Sequence, residues 1–258
     1  MALNEILQVF GFLFMEVVLP LSFVAIMHYK LGKYPKPLSL ERNKPIIIWE
    51  TLILWALLTA TFSAIIFSGF VGETTDKTSS LMLQLIFITA PVFFLIPVLY
   101  MRLVKKWTLR DFGFRKPLPN NRAIIIFAVF IFSLAGVLPL LNSDFVPASV
   151  VIVLFALIQP AFYEEFFFRG VIQGNLERAI GQNKAWIYAG LLFGLAHVLP
   201  NYFVEGFGLV PGIFQFIGQT ISGWMFGILY MKTRSLYPGM FAHFLTNGTL
   251  ASIISMIF

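Results

Sequence analysis

Apolar residues in this chain come in long blocks, not in the one-sided stripes of period 3.6 or 2 that a soluble core selects. Crossing ~30 Å of hydrocarbon at the helical rise takes roughly 20 apolar residues. Segments 6–28, 46–70, 80–101, 123–141, 148–168, 185–200, 208–230 and 236–257 have that length and character. The pattern predicts an all-α, polytopic membrane helix bundle of about eight transmembrane helices, folded as a single integral membrane domain over residues 1–258. Pro20, Pro91, Pro97, Pro139 and Pro160 fall inside these blocks; membrane helices tolerate proline where neighbours satisfy the freed backbone groups. No stretch shows the short alternation of a barrel strand.

Composition agrees: 59% of residues are hydrophobic and 12% charged, against about 25% charged in an average soluble domain. All but one of the 18 Lys and Arg fall between spans on one side of the alternation. Segment 29–45 holds Lys30, Lys33, Lys36, Arg42 and Lys44; 102–122 holds Arg102, Lys105, Lys106, Arg110, Arg115, Lys116 and Arg122. Segment 169–184 adds Arg169, Arg178 and Lys184, and 231–235 adds Lys232 and Arg234, leaving Lys77 with Glu73 and Asp76 on the other side. The positive-inside rule then places these loops in the cytoplasm and both termini outside, in a multi-pass cell-membrane protein. The net charge of +6 reflects topology and contact with anionic lipid, so the bilayer is the expected partner and nucleic acid is not. The absence of cysteine excludes disulfides, thiol catalysis and thiolate metal sites. With no basic n-region or small-residue cleavage site, the first span is expected to be retained. Residues 29–45 are the longest polar stretch, a connecting loop, and no repeat of fixed period is visible.

Ionisable groups inside the blocks carry the functional information, because each costs a few kcal/mol at the bilayer centre on insertion scales. They are Glu16, Glu50, Glu164, Glu165, His197 and His243, with the amides Gln159, Gln215, Gln219 and Asn247. Glu50 is near enough to an edge to snorkel, and His28 lies at a helix end. Glu16, mid-span, either pairs with an amide inside the bundle or lines a cavity. The densest cluster runs from Tyr163 to Gly170 at the close of the fifth span. Helical spacing puts Glu165 and Arg169 on one face at i and i+4, with the acid first, the better order. Glu164 is rotated by about 100° into a drier, like-charged setting suited to a general base. Pro160 removes a backbone hydrogen bond one turn earlier and opens the helix there. Alone, this cluster reads equally well as an ion-pair cap anchoring a span at the cytoplasmic edge. Two further constellations favour chemistry: Phe193 and His197 beside Gly190 and Gly194 on the sixth span, and His243 and Asn247 at i and i+4 on the eighth. Gly223 and Gly227 on the seventh offer a small-residue seam for close helix approach.

The ordered set Glu164-Glu165-x-x-x-Arg169, Phe193-x-x-x-His197 and His243-x-x-x-Asn247 resembles the CPBP family of intramembrane proteases, also called the CAAX protease and bacteriocin-processing, or Abi, family. Arg169-Gly170 and the run from Gly227 to Leu236 fit the same pattern, and the likeness covers roughly residues 148–250 as a catalytic core. The resemblance implies a glutamate-dependent endopeptidase acting on a membrane-associated peptide or protein. Glu164 and His197 would activate water, His243 and Asn247 would stabilise the oxyanion, and Glu165 with Arg169 would hold the site in shape. No cofactor is expected; the metal alternative would use Glu164, His197 and His243 around zinc, although the helical His-Glu-x-x-His spacing is lacking. Water must reach such a site, so a polar cavity is expected toward the cytoplasmic face near Arg169. Counting about 1.5 Å per residue, His197 is ~20 Å from Lys184 but Glu164 only ~8 Å from Arg169. The sixth span therefore either begins deeper than Lys184 or tilts strongly. Two other classes compete: a proton-coupled transporter, which would show repeats and discontinuous helices at a midplane site, and a non-catalytic scaffold or immunity protein. Prenylated CAAX peptides, peptide pheromones and bacteriocins are the substrate classes that the resemblance brings in.

Overall fold

A computed structural model describes residues 14–41, 43–67, 90–203, 208–246 and 249–257, and all regular structure among them is helical. In chain order the helices are α1 (Leu19–Tyr29), α2 (Lys44–Phe67), α3 (Ile96–Leu103), α4 (Arg122–Val137), α5 (Val150–Ala156), α6 (Gly174–Ile180), α7 (Gln182–Phe203), α8 (Leu209–Thr233), α9 (Tyr237–Leu245) and α10 (Thr249–Ile257). Wider π turns cover Phe14–Val18, Pro91–Leu95, Leu157–Phe162 and Glu165–Gln173.

By length and hydropathy, two described helical stretches can cross a membrane, Lys44–Thr61 and Pro119–Leu141, and a third if α9 and α10 form one broken span. The sequence leads to an expectation of about eight. Part of that expectation, at 6–13, 68–70 and 80–89, lies outside the described residues. The rest falls into two groups. α7 and α8 match the sixth and seventh blocks, but the polar residues and glycines they carry, among them His197, Gln215 and Gln219, lower their hydropathy. Others are short apolar pieces: Leu19–Tyr29 and Pro91–Leu103, whose blocks begin outside the described residues, and Val150–Gln159, which ends at the break before Pro160.

α7 and α8 are the central pair, and small residues set their distance. A Cβ on Gly223 would stand 2.8 Å from the Gly190 Cα, and one on Gly190 would overlap Trp224. The glycine seam legible in the sequence is thus the helix–helix contact itself. Gly190→Val is expected to force these helices apart at a cost of roughly 1–3 kcal/mol, read as a lowered unfolding midpoint of the detergent-solubilised protein.

The chain from Val150 to Ile180 carries the first motif. Ser149 caps its start by accepting the Ile152 N–H. Gln159 leaves helical geometry at φ −126°, ψ 117°, the extended conformation that a following proline imposes; the opening expected at Pro160 is found there. Beyond the break the chain is helical through Arg169 and Arg178 until Gly181, whose φ of +84° makes the turn into α7. The fifth segment therefore does not close at residue 168, and Arg169 and Arg178 belong to this rod rather than to a loop. The depth discrepancy disappears as well. Glu164 is about 17 residues before the Gly181 turn and His197 about 16 after it, so at the helical rise they come within a turn of level.

At the basic end the cations act as clamps. Lys232 is buried, and its Nζ donates to the carbonyls of Met27 (2.7 Å), His28 (2.8 Å) and Leu31 (2.6 Å), tying α8 to the end of α1. Arg234 takes a left-handed backbone (φ 55°) that ends α8, and its guanidinium grips Glu177 at 2.5 and 2.6 Å. These two residues, assigned by sequence to a cytoplasmic loop, are interior ties. Asp111 joins the 104–118 loop to the same region through Arg178 at 3.2 Å. Partial burial alone would raise its carboxyl, but hydrogen bonds from Thr108 and the Arg178 and Arg115 charges hold it below the usual carboxylate range. A depressed folded value means stability present above the unfolded pKa and lost as pH falls through the folded one. Asp111→Asn is accordingly expected to lower the unfolding midpoint slightly above about pH 4, with the gap to wild type closing on further acidification.

Candidate active site

Two helices converge on Glu164. α7 brings His197, whose Nε2 is 3.7 Å from the Glu164 Oε2, and α9 brings His243, whose Nε2 is 3.9 Å from the same oxygen. Both separations exceed direct hydrogen-bond length and suit one bridging oxygen atom. His197 Nδ1 donates to the Phe193 carbonyl at 2.8 Å, which fixes the ring with Nε2 toward Glu164. Motifs separated by more than thirty residues in the sequence thus share one oxygen.

Glu165 faces a different set of partners. Its Oε1 is 3.0 Å from His243 Nδ1 and 3.4 Å from Arg169 Nη1. The i, i+4 pair expected from the sequence is present, and it reaches further than expected by orienting the His243 ring as well. Both members are almost wholly buried, at 1% and 2% exposure, whereas Glu164 is 12% exposed. The expectation that Glu164 is the drier carboxylate is therefore reversed, because Arg169, His243 and the close approach of α9 at Gly239 enclose Glu165. Arg169 lies 4.5 Å from the Phe193 ring centre and 5.1 Å from that of Phe226, and Nη2 reaches the Gly223 carbonyl at 3.5 Å. Gly239 lets α9 approach: a Cβ there would be 2.8 Å from the Glu165 Oε2.

Sequence reasoning assigned no role to Gln159. The break before Pro160 delivers its Nε2 to the other Glu164 oxygen, Oε1, at 3.5 Å, while the Gln159 Oε1 is buried without a hydrogen-bond partner. The Gln-Pro pair was the available signal. Asn247 lies outside the described residues, as does the side chain of Glu16. Glu50 accepts from the Tyr100 hydroxyl at 2.7 Å and pairs with Lys105 at 2.8 Å, the edge arrangement expected of it. Among the described residues no group of three His, Cys, Asp or Glu is gathered closely enough to hold a metal ion.

A cavity of about 590 Å³ reaches the cluster and is lined by His243, Phe193, Phe226, Gln219, Ser222 and Thr246 at its polar and inner side. Its remaining walls come from Met15–Phe23, from Ile131–Leu138 and from the first half of α8. Those are the helix ends opposite the clamps at Lys232 and Arg234. Arg169, near which that access is expected, is itself almost wholly buried and packed between aromatic rings.

The described residues form an all-helical, apolar fold, that of a membrane helical protein, with a carboxylate–imidazole cluster inside the bundle. Residues 145–249, under half of the chain, match the family model described as type II CAAX prenyl endopeptidase Rce1-like. The match agrees with the resemblance carried by the three motifs, includes Glu164, His197 and His243, and suggests a CAAX-type protease. No curated protein and no solved structure gives a match to the chain.

Proposed function

We propose that this chain is an intramembrane endopeptidase in which water held between Glu164 and the two imidazoles hydrolyses a peptide bond. The observation that carries the reading is the shared oxygen: Glu164 Oε2 lies 3.7 and 3.9 Å from the His197 and His243 Nε2 atoms. A water at that point gives its proton to Glu164 with His197 as its second partner, and its oxygen attacks the scissile carbonyl. His243, oriented by Glu165, donates to the oxyanion together with Asn247. Glu164 then passes the proton to the leaving amine. Arg169 holds Glu165 in place.

The remaining features of the reading follow from the same groups. Eight spans, a cell-membrane location, cytoplasmic basic loops and outside termini are the arrangement that best fits the cation pattern. The substrate is a membrane-associated peptide or protein; peptide pheromone processing, bacteriocin processing and self-immunity are settings for that chemistry. A carboxylate base with imidazole donors supplies base, acid and oxyanion partner from protein groups alone, so catalysis is proposed to be metal-free. Purified protein treated with a chelator is expected to keep its rate within about twofold, whereas a zinc enzyme loses activity and regains it with added zinc. The test of the reading as a whole uses peptides from a membrane proteome, with products identified by mass spectrometry. Wild type is expected to cleave, and His197→Ala and His243→Ala each to lose about 10²-fold or more. Full activity in both folded variants would sink the proposal.

A further inference from the structure

Gln215 and Gln219 lie in the seventh apolar block read from the sequence, and the hydrolytic cluster does not use them. Both line the cavity that ends on His243, as does Ser222 one turn further along the same face of α8. None of the three side chains makes a hydrogen bond to a described residue. Unpaired amides at membrane depth are costly, and the cavity is where they can find partners. Its other walls are apolar, including Phe23, Ile131, Phe132 and Met225.

We propose that this cavity binds an extended segment of the peptide substrate, with Gln215, Gln219 and Ser222 pairing its main chain; the inference rests on the endopeptidase reading. The spacing argues for this occupant. Residues at i and i+4 on a helix are displaced by about 6 Å along its axis, and groups on one edge of an extended chain repeat every ~6.6 Å. A side-chain amide offers both a donor and an acceptor, which suits the alternating N–H and C=O of a strand edge. Apolar walls take the substrate side chains without specifying them one by one. The inner end presents the scissile carbonyl to His243, while water approaches from the Glu164–His197 side. The segment enters from the helix ends opposite the Lys232 and Arg234 clamps.

Binding and cleavage are read separately to test this. A fluorescein-labelled apolar peptide and the same peptide N-methylated along its backbone are titrated by anisotropy against the full-length Glu164→Gln protein, which holds substrate without consuming it. N-methylation removes the main-chain donors and is expected to weaken binding about tenfold, the loss of one or two net hydrogen bonds. Adding Gln215→Leu and Gln219→Leu is expected to weaken the unmodified peptide to the same extent and to erase the difference between the two peptides. A merely structural role would leave that difference intact. Ser222→Ala is the milder companion variant, with a smaller loss of the same kind. Because the chain has no cysteine, Ser222→Cys is also expected to react with a water-soluble methanethiosulfonate and to be protected by bound peptide. Equal affinity across the variants, undiminished N-methyl discrimination, no measurable peptide binding or no protection at position 222 overturns the inference. Cleavage surviving in Glu164→Gln overturns the endopeptidase reading instead.

Discussion

Glu164→Gln is expected to lower the rate of peptide hydrolysis by about 10²–10⁴-fold, the range for removing a general base. The substitution keeps the size of the side chain and its hydrogen bonding to Gln159, and it removes only basicity. Glu164 takes no part in the Glu165–Arg169 pair, so the unfolding midpoint should move little. The comparison with Glu165→Gln is informative. That change leaves the base in place but loosens His243, which it touches at 3.0 Å, and it unpairs the buried Arg169. A large loss of rate with unchanged stability is thus expected at position 164, and a loss of both at position 165.

The second large effect is on folding. Arg169→Met removes a guanidinium that is 2% exposed and leaves the 1% exposed Glu165 with His243 as its remaining ionisable partner. Removing one partner of a buried pair costs about 3–5 kcal/mol, because the other charge stays out of water. On a chain of this size that corresponds to a fall of roughly 10 °C in the unfolding midpoint. The double variant Glu165→Gln, Arg169→Met removes both charges and should recover much of that stability. It should not recover activity, since the carboxylate that orients His243 is gone. Thermal unfolding and cleavage of the three variants, measured on the same preparations, separate these contributions.

Much of the site was legible before any coordinates, and for a physical reason. Charge inside an apolar block is costly enough to mark function, so Glu164, Glu165, His197 and His243 stood out without reference to their positions in space. The Glu165–Arg169 pair and the break at Pro160 were also local matters, set by helical spacing and by proline's effect on the preceding residue. What failed was the use of cations as boundary markers. Arg169, Arg178, Lys232 and Arg234 were read as loop residues, but each is satisfied by a partner distant in sequence or by packed rings. Glu177 reaching Arg234 is such a contact, and nothing local announces it. Once Arg169 was misplaced, the fifth segment ended too early and His197 seemed too deep. Gly181, following Arg178 and two apolar residues, was the local signal for the true turn. Which of the two carboxylates is drier was beyond the sequence for a different cause: it depends on how α7 and α9 pack around them, which helical spacing does not give.

The central claim is that Glu164 activates water rather than attacking the peptide itself. A single turnover in water labelled with oxygen-18, followed by mass spectrometry of both product and enzyme, tests it most directly. The account predicts one labelled oxygen in the new carboxyl terminus of the product and none in the enzyme fragment carrying Glu164. Label in the Glu164 carboxylate after one turnover would contradict it, because only a covalent acyl intermediate on that side chain puts it there.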